Sequence, residues 1–371
     1  MPNDNSRIAY VDLSAQWKEE QEELLPIVEK VLSRGQLIGG DEVDRFEEQI
    51  KKLCQVQHAI ALNSGTDALI FALMALGVGP GDEVITPPNS FIASTAAVVH
   101  IGAKPVFVDV LPDQNINPDL IERAITKKTK AIMPVHLTGR VADMTPLMEI
   151  SNKYGLPVVE DAAQAIGSRY DGKMSGAIGA AGCFSAHPLK NLNACGDSGF
   201  LTTNDEKIAR FVRLIRNHGL VDRNTVERFG LVSRMDTLHA AILNYRLSRL
   251  DSVIERRRNN AEAYFKLLNQ EHIFIPPERA VEYNTYHTFV IQIDRRDELK
   301  QYLLDRGIET AIHYPIPIHL QPAAASLGYK YGDFPNVELQ SKKILTLPIH
   351  QTHSVRVIER VAETVNSFFH K

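Results

Sequence analysis

The 371 residues are 44% hydrophobic and 23% charged, with a formal net charge of −4 and a pI near 6.4. That balance describes an ordinary globular chain long enough for two domains and excludes a strongly basic polyanion binder. The basic runs at 127–130 and 256–258 read as solvated faces, no stretch approaches the roughly 18 uninterrupted apolar residues of a spanning helix, and Cys54, Cys183 and Cys195 show no CxxC spacing.

No nucleic acid, membrane or metal partner is therefore expected. The opening MPNDNSRIAYVDL lacks a cationic-then-apolar signal pattern, so a reducing cytoplasm is the expected compartment.

In chain order, residues 14–55 read as helical and are expected to pack across a larger domain or onto a partner. Short β-branched runs then alternate with helical segments. HAIAL (58–62), EVITP (83–87), PVFVDV (105–110), AIMPVH (131–136), PVVED (157–161), GCFSA (182–186) and GFLTT (199–203) read as seven strands. Several are apolar throughout, as strands covered on both faces are. GTDALIFALMALG (65–77) is apolar all round and predicts a buried helix. NPDLIERAI (117–125) opens with an Asn cap and a first-turn Pro, and DMTPLMEISNKYG (143–155) ends in a Gly stop. The rhythm predicts a mixed, mainly parallel sheet flanked by helices. The last two strands, joined by a loop with little helix, are the candidates for an antiparallel pair. From about 235 a long helical stretch places Leu243, Leu247, Leu250 and Ile254 on one face. Runs at 285–293, 297–307 and 309–317 and a last helix then predict a smaller α+β domain. The expected division is 1–250 for the N-terminal segment and large domain, and 251–371 for the small one.

Three segments carry chemistry. NSGTDAL (63–69) follows a strand and opens a helix, so Gly65 and Thr66 suit either a simple cap or an anion on free N–H groups. Asp161 ends an apolar strand, where a buried carboxylate needs a cation or several donors. It is either a helix-start cap or the partner of a protonated ring nitrogen such as that of pyridoxal phosphate (PLP). Lys190 sits in FSAHPLKNLNACGDSG (184–199), after a strand and before a glycine turn. A lysine there suits Schiff-base chemistry, because its pKa falls readily when desolvated. Ser185, five residues earlier, is placed to donate to a phosphate. GVGPG (77–81) follows a helix and is no dinucleotide fingerprint.

These segments, with VDL near the start, GVGPGDEVITP, AKPVFVDV, VEDAAQAIGS, HPLKNL, SRMDTLHAAIL and HYPIPIHLQPA, resemble the DegT/DnrJ/EryC1/StrS family. Its members are PLP-dependent sugar aminotransferases of the type I transferase fold. The resemblance implies that Lys190 is the Schiff-base lysine and Asp161 the pyridinium partner. It implies that Gln164 lies near the ring's 3′ oxygen and that Gly65, Thr66 and Ser185 hold the phosphate. Phe91 matches the residue stacked on the ring. His313 and Tyr314 lie in a segment that approaches the sugar, where His187 is also a candidate. A homodimer with shared active sites, an L-glutamate donor and a 3- or 4-keto nucleotide-sugar acceptor are implied, in surface-polysaccharide or lipopolysaccharide sugar synthesis. Some relatives are dehydratases with His in place of the lysine, and a regulatory relative would be expected to lose Lys190 or Asp161.

The pattern departs from the family where Val232 replaces an Asn that reaches the partner's phosphate, at Ala186 in SAHP, and at Thr138 and Arg140 in HLTGR. Arg140 reads either as a surface arginine or as a ligand for a substrate carboxylate or phosphate. The second option keeps a free acidic acceptor such as 8-keto-3-deoxy-octulosonate open.

Overall fold

A computed structural model describes residues 7–369. Two helices lead the chain. Helix α1 (Leu13–Arg34) is capped by Asp12, whose Oδ1 accepts from the Ala15 N–H, and stops at Gly35 with φ 69°. Helix α2 (Asp41–Cys54) has acids in its first turn and lysines in its last, as the helix dipole favours. It buries Val43, Phe46, Ile50 and Cys54, one face at i, i+3 and i+4.

The large sheet contains β1 (His58–Leu62), β2 (Glu83–Thr86), β3 (Lys104–Phe107), β4 (Thr129–Ile132) and β5 (Val159–Asp161). After the short β6 (Arg169–Tyr170) and β7 (Lys173–Met174) come its last strands, β8 (Ala181–Ser185) and β9 (Gly199–Thr203). Two blocks, β3-β2-β4 and β5-β8-β9-β1, are joined by parallel bridges from Ile132 to Val158 and from Val135 to Asp161. Every strand is parallel except β9, which runs antiparallel to both β8 and β1. No helix lies in the loop between β8 and β9, so the chain turns back instead of crossing over.

The continuous apolar strands are explained by burial on both faces. Ile60 and Leu62 of β1 point into one core with Leu69 and Phe71 of α3 (Gly65–Ala75). Ala59 and Ala61 point into the other, with Phe46, Phe184 and Phe200. Helices α4 (Ala93–His100), α5 (Met144–Tyr154) and α6 (Glu206–Ile215) complete the layers.

The predicted long helix after 235 breaks into α7 (Thr237–Leu247) and α8 (Leu250–Leu267). At the break the Ser248 hydroxyl donates to the Tyr245 carbonyl at 2.7 Å, a local bond that competes with the helix. Leu243, Leu247, Leu250 and Ile254 still share one core, while Ala261 and Tyr264 further along α8 enter another. The predicted helix at 117–125 is two 3₁₀ turns. In that tighter winding Pro118 and Ile121, three residues apart, both reach the interior.

Beyond α8, the short β10 (Glu282–Tyr283) pairs with β6, and β11 (Phe289–Gln292) pairs with β12 (Ile344–Leu347). Around them pack α9 (Arg296–Leu304), α10 (Pro335–Lys343) and α11 (Val355–Phe368). Ile8 joins this core too, bridged to Ile308. The 309–317 run forms no strand and makes a single bridge, Ala311 to Thr346. No helix among the described residues is long and apolar enough to cross a membrane.

Candidate active site

Strands β1, β5 and β8 are parallel, so their C-terminal ends share one edge of the sheet, where ligands of such sheets gather. Ser64, Asp161 and Ser185 stand there, on a cavity of about 320 Å³. Ser64 caps α3 by accepting from the Asp67 N–H at 3.1 Å. The first N–H groups of the helix, at Gly65 and Thr66, are left without an intrahelical acceptor. A Cβ on Gly65 would lie 2.9 Å from Ser185 Cβ and 3.1 Å from Ser185 Cα. Only glycine keeps this cradle open.

Asp161 is 4% exposed. Its Oδ2 accepts from the Ser94 hydroxyl at 2.6 Å and its Oδ1 from the Ala163 N–H at 3.2 Å. Burial raises its pKa, and the bonds from Ser94 and Ala163 oppose that rise. The neighbouring Glu160 faces the other way, as alternation along a strand requires. It is fully buried against His136 Nε2 and the N–H groups of Gly176, Ile178 and Gly179, a structural carboxylate beside a chemical one.

Lys190 lies in the turn after β8, its N–H bonded to the His187 carbonyl at 2.8 Å. The turn is clamped on both sides. Asn191 Nδ2 donates to the Thr285 carbonyl at 3.2 Å, and Asn193 Nδ2 to the Pro188 carbonyl at 2.6 Å. Burial pushes the Lys190 amine down to about 8, and the charge of Asp161 pulls it partly back. A lysine so held has a far larger free-base fraction near neutrality than an ordinary lysine, as a nucleophilic amine needs.

Phe91, Gln164, His187, His313 and Tyr314 line the same cavity. Gln164 Oε1 accepts from the Thr138 N–H at 2.8 Å, and its Nε2 faces the Tyr314 hydroxyl at 3.4 Å. The rings of Phe91 and Tyr314 are 6.3 Å apart. His313 Nδ1 meets Thr346 Oγ1 at 2.9 Å, and burial lowers its pKa to about 4.

Arg140 is the exception, and both of its readings, as a substrate ligand and as a surface arginine, are corrected. It is 5% exposed and lies outside this cavity. Nη1 donates to Glu282 Oε2 at 2.6 Å and to the Pro277 carbonyl at 2.9 Å, and Nη2 to the Pro276 carbonyl at 3.0 Å. A guanidinium paired and bonded in this way holds the fold together. Val232 is half exposed on a loop and bridged to Asn217.

Several lining residues were not found in the sequence: Ser94, Tyr10, Arg257, His287 and His350. Ser94, three residues after Phe91 and on the first turn of a helix, had a local signal. The other four come from separate segments with none.

A nucleophilic lysine, a buried carboxylate and an anion cradle at the strand ends of a mixed α/β sheet define a covalent-cofactor enzyme. The chain belongs to the DegT/DnrJ/EryC1/StrS aminotransferase family, which it matches over residues 18–366. It is 41% identical over 369 residues to a pleiotropic regulatory protein of Geobacillus stearothermophilus, covering 97% of this chain and 99% of that one. It is 40% identical over 363 residues to the dTDP-3-amino-3,4,6-trideoxy-alpha-D-glucose transaminase of Streptomyces venezuelae, covering 96% of each. The solved S. venezuelae DesV, in complex with a ketimine intermediate, matches with a TM-score of 0.96 at 39% identity, covering 98% of this chain and 99% of that one.

The family is PLP-dependent, and the residues here fit that cofactor. The cradle that a Cβ at Gly65 would fill is open to a phosphate. The buried carboxylate of Asp161 has hydroxyl and amide donors but no bonded cation, which a pyridinium supplies.

Proposed function

We propose that the enzyme moves an amino group from L-glutamate to the keto carbon of a nucleotide-linked sugar, as a cytoplasmic homodimer. Residues 1–250 would carry the cofactor and 251–371 a smaller domain completing the cavity wall. The observation that carries this reading is the convergence of Lys190, Asp161 and the Gly65–Thr66 turn on one cavity.

PLP, when bound, supplies an electron sink for the carbanion formed at the donor's Cα. The Gly65 and Thr66 N–H groups and the Ser185 hydroxyl would hold its phosphate. Asp161, oriented by Ser94, would keep a proton on the ring nitrogen. Phe91 would cover the ring, with Gln164 beside it. Lys190 Nζ would tether the cofactor and, once released by the donor's amine, would act as the base that takes and holds the proton of the donor's Cα. The acceptor half-reaction would use the same groups in reverse, so ping-pong kinetics are expected. Tyr314 keeps its proton, because burial raises its pKa, and so serves as a donor to a sugar oxygen. His187 and His313 flank the same space.

Exposed Trp17, Leu25 and Leu32 on α1, with Phe91 and Leu189 at the cavity, support a dimer whose interface borders the site. The nucleotide-linked acceptor is preferred to free 8-keto-octulosonate because Arg140, the residue that favoured an acidic sugar, is already paired.

The test is the absorbance of the PLP-loaded protein. A band near about 410–420 nm that moves to about 330 nm with L-glutamate is expected of a lysine-bound electron sink. Keto nucleotide sugars offered to the resulting form should restore the first band. A protein that binds PLP and answers no amino acid would overturn the reading.

A further inference from the structure

Arg257 is a charged group that this mechanism leaves unused. It stands on α8, is 2% exposed, and lines the cavity. Its Nε donates to Gln351 Oε1 at 3.0 Å, and its Nη1 to the carbonyls of Tyr286 and His287 at 3.2 and 3.0 Å. All three acceptors are neutral. Arg140 and Arg296, also buried, each pair with a carboxylate, Glu282 and Asp297. Among the described residues no carboxylate pairs with Arg257, and its Nη2 has no protein acceptor.

A buried cation without a counter-charge is costly. The cavity does not supply one. Asp161 is committed to Ser94 and Ala163, and Asp197 is exposed. The other polar groups on this wall are Tyr10, His287, His313 and His350. The wall is separate from the phosphate cradle, being built by α8 and the 284–288 and 349–351 segments. It is nonetheless tied to the reacting amine. His287, whose carbonyl Arg257 holds, faces Asn191 Oδ1 through Nδ1 at 3.4 Å, and Asn191 follows Lys190 in the chain.

We propose that Arg257 is the carboxylate anchor of the cavity, taking the α-carboxylate of the amino donor on its free Nη2 edge and so presenting the donor's Cα to Lys190. This deepens the transaminase reading and rests on it. A planar fork suits a carboxylate. An acidic sugar would offer the same group, and the test separates the two sources.

The experiment uses the PLP-loaded enzyme, with two readouts. Calorimetric titration with maleate, an unreactive dicarboxylate, reads binding. Single-turnover absorbance reads the half-reactions with L-glutamate, with its α-amide, and with the amino-sugar product. Arg257→Gln is expected to weaken maleate binding and L-glutamate saturation on the order of 30-fold or more. The α-amide should be equally poor in parent and variant. Arg257→Lys keeps the charge and should lose less, and it replaces the first variant if that one fails to hold PLP.

Unchanged saturation by L-glutamate in Arg257→Gln overturns the inference, and so, where only Arg257→Lys holds PLP, does unchanged maleate binding together with unchanged L-glutamate saturation in that variant. So does a parent enzyme that takes the α-amide as readily as L-glutamate. A defect confined to the amino-sugar half-reaction assigns Arg257 to a sugar carboxylate and overturns the donor assignment. A parent enzyme inert to every amino acid is a different failure, that of the transaminase reading itself.

Discussion

The two walls of the cavity are built in opposite ways. One is made of strand ends. Ser64 to Thr66, Asp161 to Gln164 and Ser185 to Lys190 are three short segments, each at the C-terminal end of a parallel strand. Their positions follow from the sheet. The other wall collects Tyr10, Arg257, His287, His313, Tyr314 and His350 from five separated stretches. Nothing local fixes those positions, and they depend on how the C-terminal core and Ile8 seat against the sheet. On the proposed reading, the first wall would carry the chemistry common to the family, and the second would set the choice of donor and acceptor.

The sharpest way to break this comparison is Lys190→Ala. If the strand-end wall holds the proton-moving amine, single-turnover conversion of L-glutamate should fall by roughly 10⁴-fold, the upper range for loss of a positioned base. Residual turnover near the parent's rate would move the chemistry elsewhere. Asp161→Asn should cost on the order of 10²–10³-fold, as loss of a preorganised charge does. Glu160→Gln is its control. Glu160 faces away from the cavity and accepts three backbone N–H groups, so that variant should lose thermal stability and keep its half-reaction. Equal kinetic losses in the two variants would show that Asp161 acts through the fold.

Arg140 marks where the sequence stopped being legible. HLTGR differs from the family pattern, and an added arginine beside a candidate site invites a functional reading. Its partner Glu282 lies 142 residues away, and the prolines at 276 and 277 that cap its guanidinium lie in a loop without a motif. Only tertiary packing brings them together. The same applies to Arg257, which stands in the basic run 256–258 that looks solvated. Arg256 and Arg258 are partly exposed, but the helix turns Arg257 inward. By contrast all seven large-sheet strands were legible, because burial on both faces leaves continuous apolar runs. The β8–β9 reversal was legible too, from its loop. Arg140→Met should therefore destabilise the protein by about 3 kcal/mol in urea unfolding, the cost of breaking a buried pair. Because it lies outside the cavity, the L-glutamate half-reaction should be unchanged. A kinetic loss without a stability loss would restore it to the site.

The smallest expected effect concerns pH, and it separates the walls by sign. Burial lowers the pKa of His313 from 6.5 to about 4, and it lowers His287, His350 and His353 as well. A histidine whose folded pKa is depressed contributes its full stability above the unfolded value. That contribution is lost as pH falls from about 6.5 towards about 4, because the unfolded chain takes up protons that the folded one refuses. Asp161 runs the other way. Its raised pKa favours the folded state in acid and works against it as pH rises through the folded value. The histidine wall should therefore dominate a fall in Tm between pH 7.5 and 5, read by calorimetry. His313→Gln should make that fall shallower, and Asp161→Asn should make it steeper. If His313→Gln leaves the slope as it was, His313 titrates normally in the folded protein, and the cavity wall around it is open to water.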